Sequence, residues 1–286
     1  MSKGLVKRAS RILSPDSFRE IDRVERPCPS IITATVWAYW DLYYIVRTYW
    51  QASLVSVALL SIGSVAIWIG PIYLTTSPAV QTIARIALLI ALSFLLSSFL
   101  LRVHLALLLG DAAADEDVGW SSERFQAYFG RLSIFVLLLA FPSCLAILTA
   151  PTGPTYYVGS RPPMQAASIL APIATFAMWL VVCRLLVLLP AAAIGAPGAT
   201  WQNALRDMGR AAGFGRSVIV LPLLPVVMLA AAPLSWFKQL PGSATAMIAA
   251  SLWLGIVLFI ATTLVAAVAT RLYQFVGDQL NSPRSS

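Results

Sequence analysis

Charge is scarce in this chain. Only 11% of its 286 residues are Asp, Glu, Lys or Arg, while 59% are apolar and the mean hydropathy is +0.80. A water-soluble domain carries about 25% charged residues and roughly 45–50% apolar ones, so a water-facing surface cannot be built from this stock. Histidine is nearly absent. The one residue, His104, excludes the multi-histidine sites of di-iron desaturases and bis-histidine haem proteins. Cysteine is limited to Cys28, Cys144 and Cys183, with no CxxC spacing and no even-numbered framework. Cys144 and Cys183 fall near opposite ends of consecutive apolar runs, about 20 Å apart in depth at 1.5 Å per residue. A disulfide needs Cα atoms within about 7 Å. These residue types imply no cofactor.

What the chain has in abundance is long apolar runs. Six exceed or approach the ~18 residues that mark a spanning helix, at 54–74, 83–107, 132–150, 165–189, 218–237 and 245–269. Internal prolines (Pro71, Pro142, Pro172, Pro190, Pro222, Pro225 and Pro233) mark expected bends, tolerated because neighbouring helices re-satisfy the carbonyls that proline frees. The expected fold is an all-α polytopic membrane protein with six transmembrane helices. A basic N-terminal segment at 1–30 precedes a membrane domain at 31–274 and a short tail at 275–286. The first thirty residues are charged and lack the apolar centre of a cleavable signal, so the first span is expected to act as its own insertion signal.

Orientation follows from lysine and arginine. Seventeen of the 20 lie before the first span, in or beside the second and fourth connections, or in the tail. Only Arg85, Arg161 and Lys238 belong to the other side. By the positive-inside rule both termini are expected in the cytoplasm. The net charge of +8 and pI near 9.8 would also suit nucleic acid, but most basic groups sit beside spans. The phospholipid bilayer and its anionic headgroups are the expected partners, not nucleic acid.

A spacing of about eighty residues recurs. Each even-numbered span ends in an arginine followed by more apolar residues: Arg102, Arg184 and Arg271, separated by 82 and 87 positions. Each odd-numbered span follows a segment bearing Trp37, Trp120 or Trp201, separated by 83 and 81. The expected unit is an interfacial helix plus a hairpin of two spans, used three times. The stretch from Trp201 shows the amphipathic pattern plainly, with Ala204, Leu205, Met208 and Ala212 set against Gln202, Asn203, Arg206, Asp207 and Arg210. The first such segment is strongly aromatic. Trp37, Trp40, Tyr43 and Trp50, with Trp120 and Trp201 further on, are the expected interfacial anchors, because their rings are apolar at one end and wet at the other. A docking surface for a partner protein is the alternative.

Three sets of residues are candidates for chemistry. Asp115 and Asp117 form a D-x-D that can hold Mg²⁺ against a substrate phosphate, a weak metal candidate set against the plainer expectation of a solvated loop. His104, two residues after Arg102, is expected to be an interfacial or bundle-satisfied side chain, with a proton relay as the sharper alternative. Arg102, Arg184 and Arg271 lie at similar depth if the repeat holds. Guanidinium groups grip phosphate bidentately, which makes these three a candidate lipid-headgroup site; the alternative is three snorkelling anchors. The middle third of each span is free of charge, which disfavours ion-coupled transport.

The segment Arg184-Leu-Leu-Val-Leu-Leu-Pro190-Ala-Ala-Ala-Ile, then Thr200-Trp201-Gln-Asn-Ala204-Leu and Gly213-Phe-Gly-Arg216, resembles bacterial six-span proteins similar to the membrane domain of glycerophosphoryl diester phosphodiesterases. Members show an arginine, an apolar stretch ending in proline, and an amphipathic helix opening with an alanine–aromatic pair. Here Trp201 precedes Ala204 by three residues. The resemblance covers about thirty-five residues and the six-span layout. It implies a location in the bacterial inner membrane and brings no catalytic residues. The expected function is that of a non-enzymatic accessory or scaffolding subunit contacting anionic lipid or a larger membrane complex. A small-molecule or lipid transporter and a metal-dependent lipid-modifying enzyme are the alternatives.

Overall fold

The computed structural model describes residues 29–68, 77–115, 119–148, 166–237 and 244–281. Among them every regular element is a helix: α1 (Ile31–Thr48), α2 (Trp50–Trp68), α3 (Pro78–Leu109), α4 (Asp111–Ala114), α5 (Glu123–Leu148), α6 (Ala166–Leu185), α7 (Leu188–Ala193), α8 (Trp201–Arg210), α9 (Ala212–Phe237), α10 (Ala244–Val276) and α11 (Asp278–Asn281). Local sequence sets the ends. Ser30 and Thr200 cap α1 and α8, each hydroxyl accepting from the backbone N–H three residues on. Pro78 occupies the first turn of α3, where its missing N–H costs nothing. Gly110 stops the same helix at φ +94°, a conformation that favours glycine, while its N–H returns to Ala106 and Leu105 carbonyls.

Five helices, α2, α3, α5, α9 and α10, are long and apolar enough to cross a membrane, which makes this a multi-pass, all-helical membrane protein by length and composition. The fourth expected span folds as α6, with a shorter apolar stretch at Pro172–Leu185. The expected interval 165–189 is divided: a turn at 186–187 separates α6 from α7. The ends of the first and third expected spans, at 69–74 and 149–150, lie outside the described residues. α3 and α10 have 32 and 33 residues, about 50 Å at 1.5 Å per residue, against a hydrocarbon core of ~30 Å. Both exceed that thickness, and each carries its arginine, Arg102 or Arg271, in its C-terminal part inside continuous helix.

α10 is the hub and packs against α1, α2, α3, α7 and α9. A closed circuit runs α3–α5–α6–α9–α10 and back to α3, and α7 wedges against α3, α5 and α10. Every residue of α7 is buried. A close crossing joins α2 to α10, where Gly255 faces Ser61. A Cβ on Gly255 would lie 2.8 Å from the Ser61 backbone nitrogen and 2.9 Å from its Cα. Small residues at this crossing permit close helix approach, and the glycine serves the interior of the bundle. Cys144 and Cys183 are buried free thiols.

Candidate functional site

Polar contacts gather at one end of the bundle, where α1, α4, α7, α8 and α11 meet the C-terminal turns of α3, α6 and α10 and the N-terminal turns of α5 and α9. α1 shows why its residues fall as they do. Ala34, Ala38, Asp41 and Ile45 recur at helical spacing and are buried. The small alanines let the helix lie close on α9 and α10. Ile32, Val36, Trp40 and Tyr43 fall on the opposite face and are exposed, as is Trp50 at the start of α2.

The buried face contains an ion pair. Arg271 Nε donates to Asp41 Oδ2 at 2.7 Å, and Nη2 donates to Oδ1 at 2.6 Å. This bidentate geometry is the strongest form of the interaction. Burial pushes the Asp41 carboxyl above its usual range, while the charge and hydrogen bonds of Arg271 pull it back. Arg271 Nη1 donates to Gln274 Oε1 at 3.3 Å, and the guanidinium lies 6.0 Å from the centre of the Trp37 ring. Trp37 in turn stacks on Phe275. Tyr39 donates its hydroxyl proton to the Pro222 carbonyl at 2.7 Å, and partial burial raises its phenol. That carbonyl accepts from outside α9.

Arg102 has different neighbours. Its Nε donates to the Ala114 carbonyl at 3.2 Å, and its guanidinium sits 6.0 Å from the Tyr49 ring centre. Asp111 accepts from both the Tyr44 and Tyr49 hydroxyls, the latter at 2.9 Å. Burial, then the hydrogen bond and charge of Asp111, raise the Tyr49 phenol above its ordinary range, with smaller contributions from Tyr44 and Asp115. Arg184 is exposed at the end of α6. The structure thus brings the three expected arginines to the same end but gives each its own surroundings: Arg271 held in a buried pair, Arg102 between the Ala114 carbonyl and the Tyr49 ring, and Arg184 exposed.

α8 completes this end. Ala204, Asp207 and Met208 face inward, while Leu205, Arg206 and Arg210 face outward. Asp207 Oδ2 accepts from Leu280 N at 3.1 Å, and Gly198 N donates to the Leu280 carbonyl, so α11 is stitched to α8 and to the segment just ahead of it. Arg131 donates to the Ala199 carbonyl at 3.0 Å. Of the expected anchors, Trp40, Tyr43, Trp50 and Trp120 are each more than half exposed. Trp37 packs inward, and Trp201 makes an edge contact with Phe135. Trp120 lies in a turn ahead of α5. Asp115 is exposed, Asp117 lies outside the described residues, and among the described residues no group of three or more His, Cys, Asp or Glu is placed to hold a metal ion.

His104 is wholly buried between helices, its Nδ1 2.7 Å from Thr270 Oγ1 and its ring 5.6 Å from that of Tyr128. The sequence pattern puts Asp207 on the polar face of α8 and Leu205 on the apolar one, whereas the structure buries Asp207, whose carboxylate is needed by Leu280 N, and exposes Leu205; Asp41, Asp111 and Tyr128 were not singled out by sequence reasoning. Asp41 carried a signal that could have found it: a lone acid on the small-residue face of an otherwise aromatic helix. No family model, no curated protein and no solved structure matches this chain.

Proposed function

We propose that this protein is a non-enzymatic accessory or scaffolding subunit of a bacterial inner membrane, whose polar end contacts anionic lipid and a larger membrane complex. The observation that carries this reading is the construction of α1. A buried ion pair and two buried alanines hold one face on the bundle, and the opposite face presents Trp40 and Tyr43, with Trp50 exposed just beyond at the start of α2. Rigid aromatic side chains of this kind are the usual anchors of interfaces and of headgroup-level contact. α8 adds Arg206 and Arg210 on its outer face beside the exposed Leu205, the composition of a helix lying on anionic headgroups.

In this proposal α6, the fourth in chain order, also crosses and brings the spans to six, and both termini are cytoplasmic. The supporting argument is parity. Asp41 precedes α2, Arg271 lies near the end of α10, and the two touch. An even number of crossings returns the chain to its starting side, whereas five would separate the pair. The threefold repeat also belongs to the proposal. It draws support from α1 and α8, each capped by a hydroxyl and each leading into a span, and from the short helices α4, α7 and α11 after α3, α6 and α10. The middle unit has a turn at Trp120 in place of a separate helix. The segment resembling phosphodiesterase membrane domains folds as the end of α6, then α7, α8 and the start of α9.

Native mass spectrometry of the protein released from mixed-lipid nanodiscs tests the lipid contact. The wild type should retain anionic phospholipid in preference to zwitterionic, and Arg206→Gln with Arg210→Gln should lower that preference several-fold. Equal retention by both proteins overturns the lipid contact at α8.

A further inference from the structure

We infer that His104 and Tyr128 bind one water molecule between them, at the junction of α3, α5 and α10 beneath α7. Both side chains are completely buried, at 0% exposure. His104 Nε2 and the Tyr128 hydroxyl have no hydrogen-bond partner among the described residues. Buried polar atoms in folded proteins are satisfied by protein or by ordered water, and a buried water that meets otherwise unpaired groups is part of the structure.

The chemistry of the two atoms selects the ligand. Thr270 has one hydroxyl proton, directed at the Ala266 carbonyl 2.9 Å away. With that proton on the carbonyl, we assign the 2.7 Å contact with His104 to Nδ1–H donating to Thr270 Oγ1. In that tautomer Nε2 is an acceptor without a donor. The Tyr128 hydroxyl, on a ring 5.6 Å from the imidazole, is a donor without an acceptor. A molecule that donates to Nε2 and accepts from Tyr128 meets both needs, and water does so within the smallest volume. The bridged chain then runs Tyr128, water, His104, Thr270, Ala266 carbonyl, and joins three helices. Arg271, next to Thr270, is engaged by Asp41, and Val103 and Leu105 flank His104 with apolar side chains.

The chain has a single histidine, so labelling all histidine with 15N reports His104 alone. In lipid nanodiscs the wild type should show Nδ1 protonated, Nε2 unprotonated but hydrogen-bonded, and magnetisation transfer to the ring from water protons. Tyr128→Phe should move the Nε2 resonance toward that of an unbonded nitrogen and leave Nδ1 in place. Three results overturn the site: a protonated Nε2, no transfer from water in the wild type, or transfer from the tyrosine hydroxyl in its place. The wild-type spectrum decides the matter even where the variant fails to fold.

Discussion

Arg271 of α10 grips Asp41 of α1 across 230 positions of sequence, with hydrogen bonds of 2.6 and 2.7 Å and both side chains buried. This contact fixes the aromatic helix to the hub of the bundle. It also makes a strong prediction about deletion. Removing one partner strands a buried charge, which costs about 3–5 kcal/mol, whereas replacing both by apolar residues of similar volume is close to neutral. Asp41→Ala or Arg271→Ala should lower the thermal unfolding midpoint sharply, and Asp41→Leu with Arg271→Met should recover most of the loss. Additive losses in the double variant would show that the two residues act separately.

The α2–α10 crossing should tolerate no side chain at Gly255. Alanine there meets Ser61 backbone atoms at 2.8 and 2.9 Å, so the helices must separate, at about 1–3 kcal/mol for overpacking of this kind. Gly130→Ala provides the control: its added Cβ meets nothing within 4 Å inside α5, and helix propensity favours it by up to about 1 kcal/mol. Thermal unfolding of the two variants should shift in opposite directions.

Tyr49 predicts an alkaline limit. Burial and Asp111 raise its folded-state phenol above the ordinary value of 10.0. The folded protein therefore holds the proton more tightly than the unfolded chain. Stability from this group is complete below pH 10 and is lost as pH rises beyond it. Unfolding midpoints measured from pH 8 to 11.5 should fall above pH 10, and Tyr49→Phe should flatten part of that fall. An unchanged slope would remove Tyr49 from the account.

Much of this was legible in the sequence, and the remainder was not for identifiable reasons. The apolar runs announced α2, α3, α5, α9 and α10, because lipid imposes a length and a composition that no other solvent does. The pattern from Trp201 announced α8. Leu188 and Leu189 read as the end of a span because they are as apolar as the run before them; composition does not reveal the turn that separates α7 or its position among α3, α5 and α10. Arg271 stood out by its place in the chain, but its partner did not. A pair 230 positions apart leaves no local trace beyond the anomaly of Asp41 on a face of alanines.

The join between α8 and α11 should fail through a single acceptor. Asp207→Ala leaves Leu280 N without its carboxylate at 3.1 Å, a loss of about 1–3 kcal/mol for a buried donor left unsatisfied. Proteolytic cleavage beyond residue 277 should become faster in this variant while cleavage elsewhere stays at the wild-type rate. Equal rates at the C-terminus would mean that Gly198 and the α11 packing suffice.

The central claim, a membrane subunit that presents α1 to a larger complex, is tested most directly by extracting the native membrane into polymer-bounded nanodiscs and identifying by mass spectrometry what accompanies the protein at fixed stoichiometry. The account predicts a protein companion at a constant ratio to the wild type. The companion should be lost from a chain carrying Trp40→Ala, Tyr43→Ala and Trp50→Ala that still folds and still retains lipid. A wild-type protein recovered alone with lipid would contradict it, and transport or lipid handling would take its place.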